Sequence, residues 1–199
     1  MDQPEKPPYH HGALRQALVA AALETVERMG HEALSFRDLT EAVGVSRTAP
    51  YRHFADRDAL LAAVAVEGYS ALMAAHHEMT RTEADPQARW RATARGFLDF
   101  ARSRPELFRL MYETRLAADL EPHPDLAQAV RTVYDMTLSA LRAAHPDLSP
   151  VAAEGRMVVA WSTLYGYAKI RNSGQLQGFM RSLLSEQAIE DEVVAAIAG

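Results

Sequence analysis

The sequence predicts an all-α protein of about nine helices, with an amino-terminal three-helix helix-turn-helix domain followed by a larger helical domain. Three features carry that expectation. Apolar residues recur every three or four positions along most of the chain, the period of a helix with one buried face. Four prolines (Pro86, Pro105, Pro124 and Pro150) stand where new apolar runs begin, and proline suits a first helical turn because no intrahelical bond is lost there. No segment shows the alternation of β-branched and polar residues that marks a strand.

The elements follow in order. Met1 to Pro8 is polar and proline-rich, so residues 1–9 are expected to form an arm, with no apolar stretch and cleavage site of a secretion signal. Leu14, Leu18, Ala21, Ala22, Val26 and Met29 define the first helix, which Gly30 ends. Ser35 and Asp38 resemble a capping pair before a short helix with Phe36, Leu39 and Val43 on its apolar side. Gly44 supplies a turn, Ser46 is placed to cap a second short helix from Arg47 to about His53, and Asp56 to cap a long one. Two short helices about a glycine turn are the parts of a helix-turn-helix, which sets the expected domains at 10–57 and 58–199.

Beyond Arg57 the chain reads as helix after helix. Leu107, Phe108, Leu110 and Met111 make a short apolar helix, and Leu126, Val130, Val133 and Leu138 punctuate a longer one. Val151 to Arg171 is mostly apolar until Asn172, Ser173 and Gly174 stop it. A last helix is expected from about Gln177 towards Ile197, with a break near Ser185.

Composition narrows the functions. With 48% hydrophobic and 24% charged residues the 199-residue chain should fold, and recurring charges interrupt every apolar run before the length of a membrane span. A cytoplasmic protein is expected. The net charge of −5 argues against coating nucleic acid with the whole surface. Within Ser46 to Arg57, however, Arg47, Arg52 and Arg57 face only Asp56, so a DNA footprint would be local. The absence of cysteine excludes disulfides and thiolate chemistry. His76 and His77 are adjacent, point about 100° apart on a helix and make poor metal co-ligands. With neither strands nor a nucleophile elbow, no catalytic residue, metal or cofactor is expected.

Leu14 to Val66 resembles the DNA-binding region of the TetR family of bacterial regulators. The likeness rests on Ala21, Ala22 and Gly30, on Leu34 to Leu39, on Val43 to Ser46, and on Tyr51, Arg52, His53, Phe54, Arg57, Ala59, Leu60 and Leu61. Phe36 stands where smaller residues are common, and Pro50 interrupts the reading helix. Past Val66 the resemblance thins. The segments Arg104 to Met111 and Trp161 to Gly166 look like a subgroup marked by tryptophan-histidine-glycine in its eighth helix, with Tyr165 in the histidine's place. The family likeness implies a homodimer on a palindromic double-stranded DNA operator, acting as a repressor that a small-molecule effector releases.

The candidate DNA-reading set is Ser46, Arg47, Thr48, Tyr51, Arg52 and His53, with Arg37 either reaching a phosphate or pairing with Glu41. The resemblance places Tyr51 and His53 on the phosphate backbone and Thr48 in the major groove. Phe54 reads as a core wedge. Phe97, Phe100, Phe108, Met111, Tyr112, Tyr134, Trp161 and Tyr165 are candidate effector contacts, since buried tyrosine and tryptophan need polar partners. Each also suits an ordinary helical core. Leu164, Phe179, Met180, Leu183 and Val194 are candidate dimer contacts on the last two helices. The alternative is a helical protein-interaction module that does not bind DNA.

Overall fold

The computed structural model describes residues 11–182 and 184–199, and the described residues contain helices and no strand. The expected all-α class holds. The α-helices are α1 (His11–Met29), α2 (Phe36–Val43), α3 (Arg57–Thr80), α4 (Pro86–Ser103), α5 (Pro105–Tyr112), α6 (Arg115–Ala118), α7 (Pro124–Ala144), α8 (Pro150–Asn172) and α9 (Glu186–Ala198). The expected arm lies outside the described residues.

Local chemistry sets most boundaries. Prolines occupy the first position of α4, α5, α7 and α8, as their spacing predicts. Asp56 accepts a hydrogen bond from the Ala59 N–H at 2.8 Å and opens α3. Ser185 accepts one from Ala188 at 3.1 Å, so the expected break is the true start of α9, preceded by a short 3-10 turn at Gly178–Arg181. Ser35 departs from expectation: its hydroxyl caps nothing, and its carbonyl accepts the Leu39 N–H instead.

One core runs through the molecule. Leu18, Val26, Leu39 and Phe54 are buried where α1 packs against both α2 and α3. Trp90, Leu98, Phe108 and Leu141 are buried farther along, where α4, α5 and α7 pack on and around α3. At roughly 1.5 Å per residue, α3 is a continuous rod of about 36 Å joining the two regions. By length and composition α3 is also apolar enough to cross a membrane, a threshold the sequence reading placed out of reach. Its apolar residues Leu60, Leu61, Val64, Tyr69 and Leu72 are instead buried by the neighbouring helices. Met29, assigned to the buried face of α1, is exposed, and Val19 is buried in that helix.

Candidate nucleic-acid interface and effector cavity

Gly44 ends α2 in the left-handed conformation, φ +73°, a backbone state that side chains disfavour. The N–H groups of Gly44 and Val45 both close on the Thr40 carbonyl at 3.0 Å, which sets the turn. The chain then departs from the expected helix over Arg47 to His53. It turns at Arg47 and Thr48 and forms a 3-10 helix only at Pro50–Arg52. Pro50 explains the tightening. Its missing N–H removes the bond that an α-helix would make to the Ser46 carbonyl. The Ala49 N–H takes that carbonyl at 3.0 Å, one residue earlier, and His53 bonds Pro50 in the same short register.

Ala49, Pro50 and Phe54 are buried and anchor this segment, with the Arg15 guanidinium 5.3 Å above the Phe54 ring. Phe54 is the core wedge expected. Arg37, Ser46, Arg47, Thr48, Tyr51 and Arg52 are exposed, and His53 is half-buried. The Ser46 hydroxyl lies 3.3 Å from that of Thr48 and makes no helix cap. Tyr51 is 61% exposed, its ring edge resting on Phe36 with centroids 5.0 Å apart. Arg37 lies 3.5 Å from Glu41, an exposed pair that leaves the guanidinium accessible. Arg57 leaves the local basic patch. It donates to the carbonyls of Leu34, at 3.0 Å, and His31, holding the α1–α2 connection against α3.

A cavity of about 330 Å³ opens among α3 to α8, at the small end of the roughly 300–1,000 Å³ typical of ligand sites. Gly68 helps to shape this region, since an added Cβ would sit 2.5 Å from the Met111 sulfur where α5 approaches α3. Of the expected contacts, Phe97, Met111, Tyr112, Tyr134 and Trp161 line the cavity. Phe100, Phe108 and Tyr165 do not. Phe108 stands behind Tyr112, with ring centroids 4.8 Å apart, and Tyr165 stacks on Trp161 at 5.5 Å, so both support lining rings. Phe100 is buried elsewhere.

Sequence reasoning missed the α3 contribution of Tyr69, Leu72 and His76, and Trp90 and Thr93 from α4. The helical spacing of the three α3 residues was the available signal. Burial pushes the Tyr69 and Tyr112 phenols up from their ordinary range, and a hydrogen bond with Tyr112 partly opposes the shift at Tyr69. His76 is held down, first by burial and then by the charges of His77 and Arg89. Its Nδ1 is buried without a hydrogen-bond partner among the described residues.

Cavity and reading head meet through α5. Leu110, Met111 and Tyr112 line the cavity, while Arg109 reaches Glu32, beside the end of α1, at 2.9 Å. Arg104, which precedes α5, pairs with Glu27 of α1 at 3.3 Å.

The dimer candidates need correction. Leu164 is buried and lines the cavity, and Val194 is 1% exposed inside the fold, so neither offers surface to a second copy in this arrangement. Phe179 is exposed; the Met180 side chain and Leu183 lie outside the described residues. Val158 of α8, also exposed, lines the cavity, whereas the outer side of that helix presents Val151, Val159 and Ile170 to solvent. Behind it, Glu190 of α9 is buried against Arg171 of α8 at 3.2 Å, and Arg171 also donates to the Leu98 carbonyl of α4. The chain has no cysteine, and the described residues contain no cluster of three metal-ligating side chains.

An all-helical chain with an exposed helix-turn-helix surface and a separate apolar cavity defines a class of one-component regulators. The chain belongs to the TetR family: the model described as "Bacterial regulatory proteins, tetR family" matches residues 18–64, and that described as "Tetracyclin repressor-like, C-terminal domain" matches 90–195. A solved protein of unknown function from Rhodococcus sp. RHA1 is 34% identical, with 97% of this chain and 95% of that one covered and a TM-score of 0.75. The regulator LfrR from Mycobacterium smegmatis, solved with proflavine, shares the fold at 21% identity and TM-score 0.60, covering 94% and 97% of the two chains. The transcriptional activator FasR of Mycolicibacterium smegmatis is 28% identical over 126 residues, 63% of this chain and 55% of that relative. The chain thus matches about half the length of that curated relative.

Proposed function

We propose that this protein is a ligand-responsive DNA-binding repressor. It acts in the cytoplasm, binds a palindromic operator as a homodimer through Ser46, Arg47, Thr48, Tyr51, Arg52, His53 and Arg37, and is released when a small molecule fills the cavity. The observation that carries this reading is the double role of α5, which lines the cavity with Met111 and Tyr112 and ion-pairs to the reading head through Arg109. A molecule that displaces α5 would alter the support of the head. The protein is a regulator rather than an enzyme. Membership of the tryptophan-histidine-glycine subgroup rests on Trp161 and Gly166, with Tyr165 occupying the cavity-distal position between them. FasR carries the name of an activator; on one fold, the position of the operator relative to the promoter sets the sign of regulation.

Fluorescence anisotropy with the intergenic DNA upstream of the gene tests the proposal. The logarithm of affinity is expected to fall linearly with the logarithm of salt concentration, as phosphate contacts release counterions. Absence of salt-dependent binding would favour the interaction-module reading. A reporter that rises when the operator is deleted supports repression, and one that falls identifies an activator.

A further inference from the structure

The lining of the cavity contains no aspartate, glutamate, lysine or arginine. A charged ligand group there would lose its hydration without gaining an opposite charge, a penalty that excludes it from tight binding. Four of the polar lining groups are already engaged by backbone. Tyr69 donates to the Met111 carbonyl at 3.2 Å, and Trp90 to that of Ile197 at 3.1 Å. Thr93 and Thr137 donate to the carbonyls of Arg89 and Val133, each four residues earlier. His76 is not among them: it lines the cavity, and its imidazole makes no hydrogen bond among the described residues.

Resting on the reading of this cavity as the effector site, we propose that the effector is an uncharged, largely hydrocarbon molecule whose single hydroxyl hydrogen-bonds to His76. A neutral imidazole carries a donor on one ring nitrogen and an acceptor on the other. A hydroxyl both donates and accepts, so it pairs with a ring nitrogen that faces the cavity in either tautomer, which a carbonyl or an ether does not. The remaining walls, with Leu72, Phe97, Met111, Val133 and Trp161, enclose the hydrocarbon part. A ligand without a hydroxyl covers the imidazole and leaves it unpaired, which is costly, so the hydroxyl supplies selectivity as well as affinity.

Isothermal titration of the full chain with 2-naphthol, naphthalene and 2-naphthoate near neutral pH separates the contributions. The expected order is 2-naphthol first, naphthalene about tenfold weaker for want of the hydrogen bond, and 2-naphthoate at least about a hundredfold weaker because its charge is stranded. His76→Phe is expected to erase the preference for 2-naphthol over naphthalene. Val133→Trp, which fills the cavity, is expected to abolish binding of every probe, with Thr137→Leu as the milder filling variant and circular dichroism verifying the helical fold of each. Equal affinity for 2-naphthol and 2-naphthoate, a hydroxyl preference that survives His76→Phe, or no binding of 2-naphthol would overturn the assignment. If the filling variants still abolish binding in the first two cases, the cavity remains the ligand site and only its chemistry has been misassigned. Binding undiminished in both filling variants would overturn the cavity reading itself.

Discussion

Pro50 decides the geometry of the reading segment through a single missing hydrogen. Pro50→Ala restores an N–H that can close on the Ser46 carbonyl, lengthening the 3-10 turn into α-helix and re-aiming Tyr51 and Arg52. The variant is expected to stay folded and to distinguish operator from random DNA less well in competition titrations; unchanged discrimination would reduce Pro50 to a packing residue. Thr48→Ala is expected to narrow the same gap, whereas Tyr51→Phe should weaken all DNA alike by about 1 kcal/mol, one hydroxyl hydrogen bond to phosphate. His76 yields a pH prediction. Its folded pKa lies below the ordinary value of about 6.5, so the unfolded chain binds more protons between those values, and stability falls as pH drops through that window. His76→Gln is expected to lose less stability than the parent between about pH 7.5 and 5.5 in urea titrations; an equal loss would assign the pH dependence to other groups. The motif spacing made Thr48, Tyr51 and Phe54 legible in the sequence. The anchoring role of Arg57 and the place of His76 in the cavity wall were not legible, because they depend on carbonyls and walls distant along the chain.

Among the elements, helix starts were the most legible feature, because proline and the capping Asp56 act within one turn, although Ser35 and Ser46 cap nothing. Length was less so. The reading helix shrank to a 3-10 turn, and α6 (Arg115–Ala118), with four residues, carries too little periodicity to be seen. The packing of α9 was also hidden. Its buried Glu190 lies against Arg171 of α8, with Arg102 of α4 at 3.5 Å, and a sequence shows only an acidic residue on an acidic helix. Glu190→Gln leaves the buried Arg171 without its counter-charge and is expected to destabilise the fold by about 3 kcal/mol. Equilibrium denaturation measures this, and a change near zero would mean that the Glu190 pair adds nothing to the other contacts that hold α9.

For the whole molecule, the fold class was readable along the chain and the family from Leu14 to Val66, but the faces of α8 were not. That helix is apolar on both sides: Met157 and Leu164 turn inward, and Val159 and Ile170 remain exposed. Periodicity therefore could not say which side awaits a partner, and Leu164 was assigned outward. The exposed side now carries the dimer proposal. Val159→Glu places a charge there without touching the core, and sedimentation velocity is expected to show a smaller assembly than the parent. A parent that sediments as a monomer would end the two-headed reading, and a dimer unchanged by Val159→Glu would move the contact elsewhere.

The chain has two tryptophans, and both belong to the wall of the cavity. Trp90 is 1% exposed with its N–H bonded to the Ile197 carbonyl, whereas Trp161 is 45% exposed and stacked on Tyr165. The tryptophan emission of the protein, excited selectively over its seven tyrosines, therefore originates beside the proposed ligand, from one shielded indole and one wet indole. Iodide should quench the red-shifted part and spare the blue, so unlabelled protein reports cavity filling, α9 detachment and coverage of the α8 face as separable optical signals.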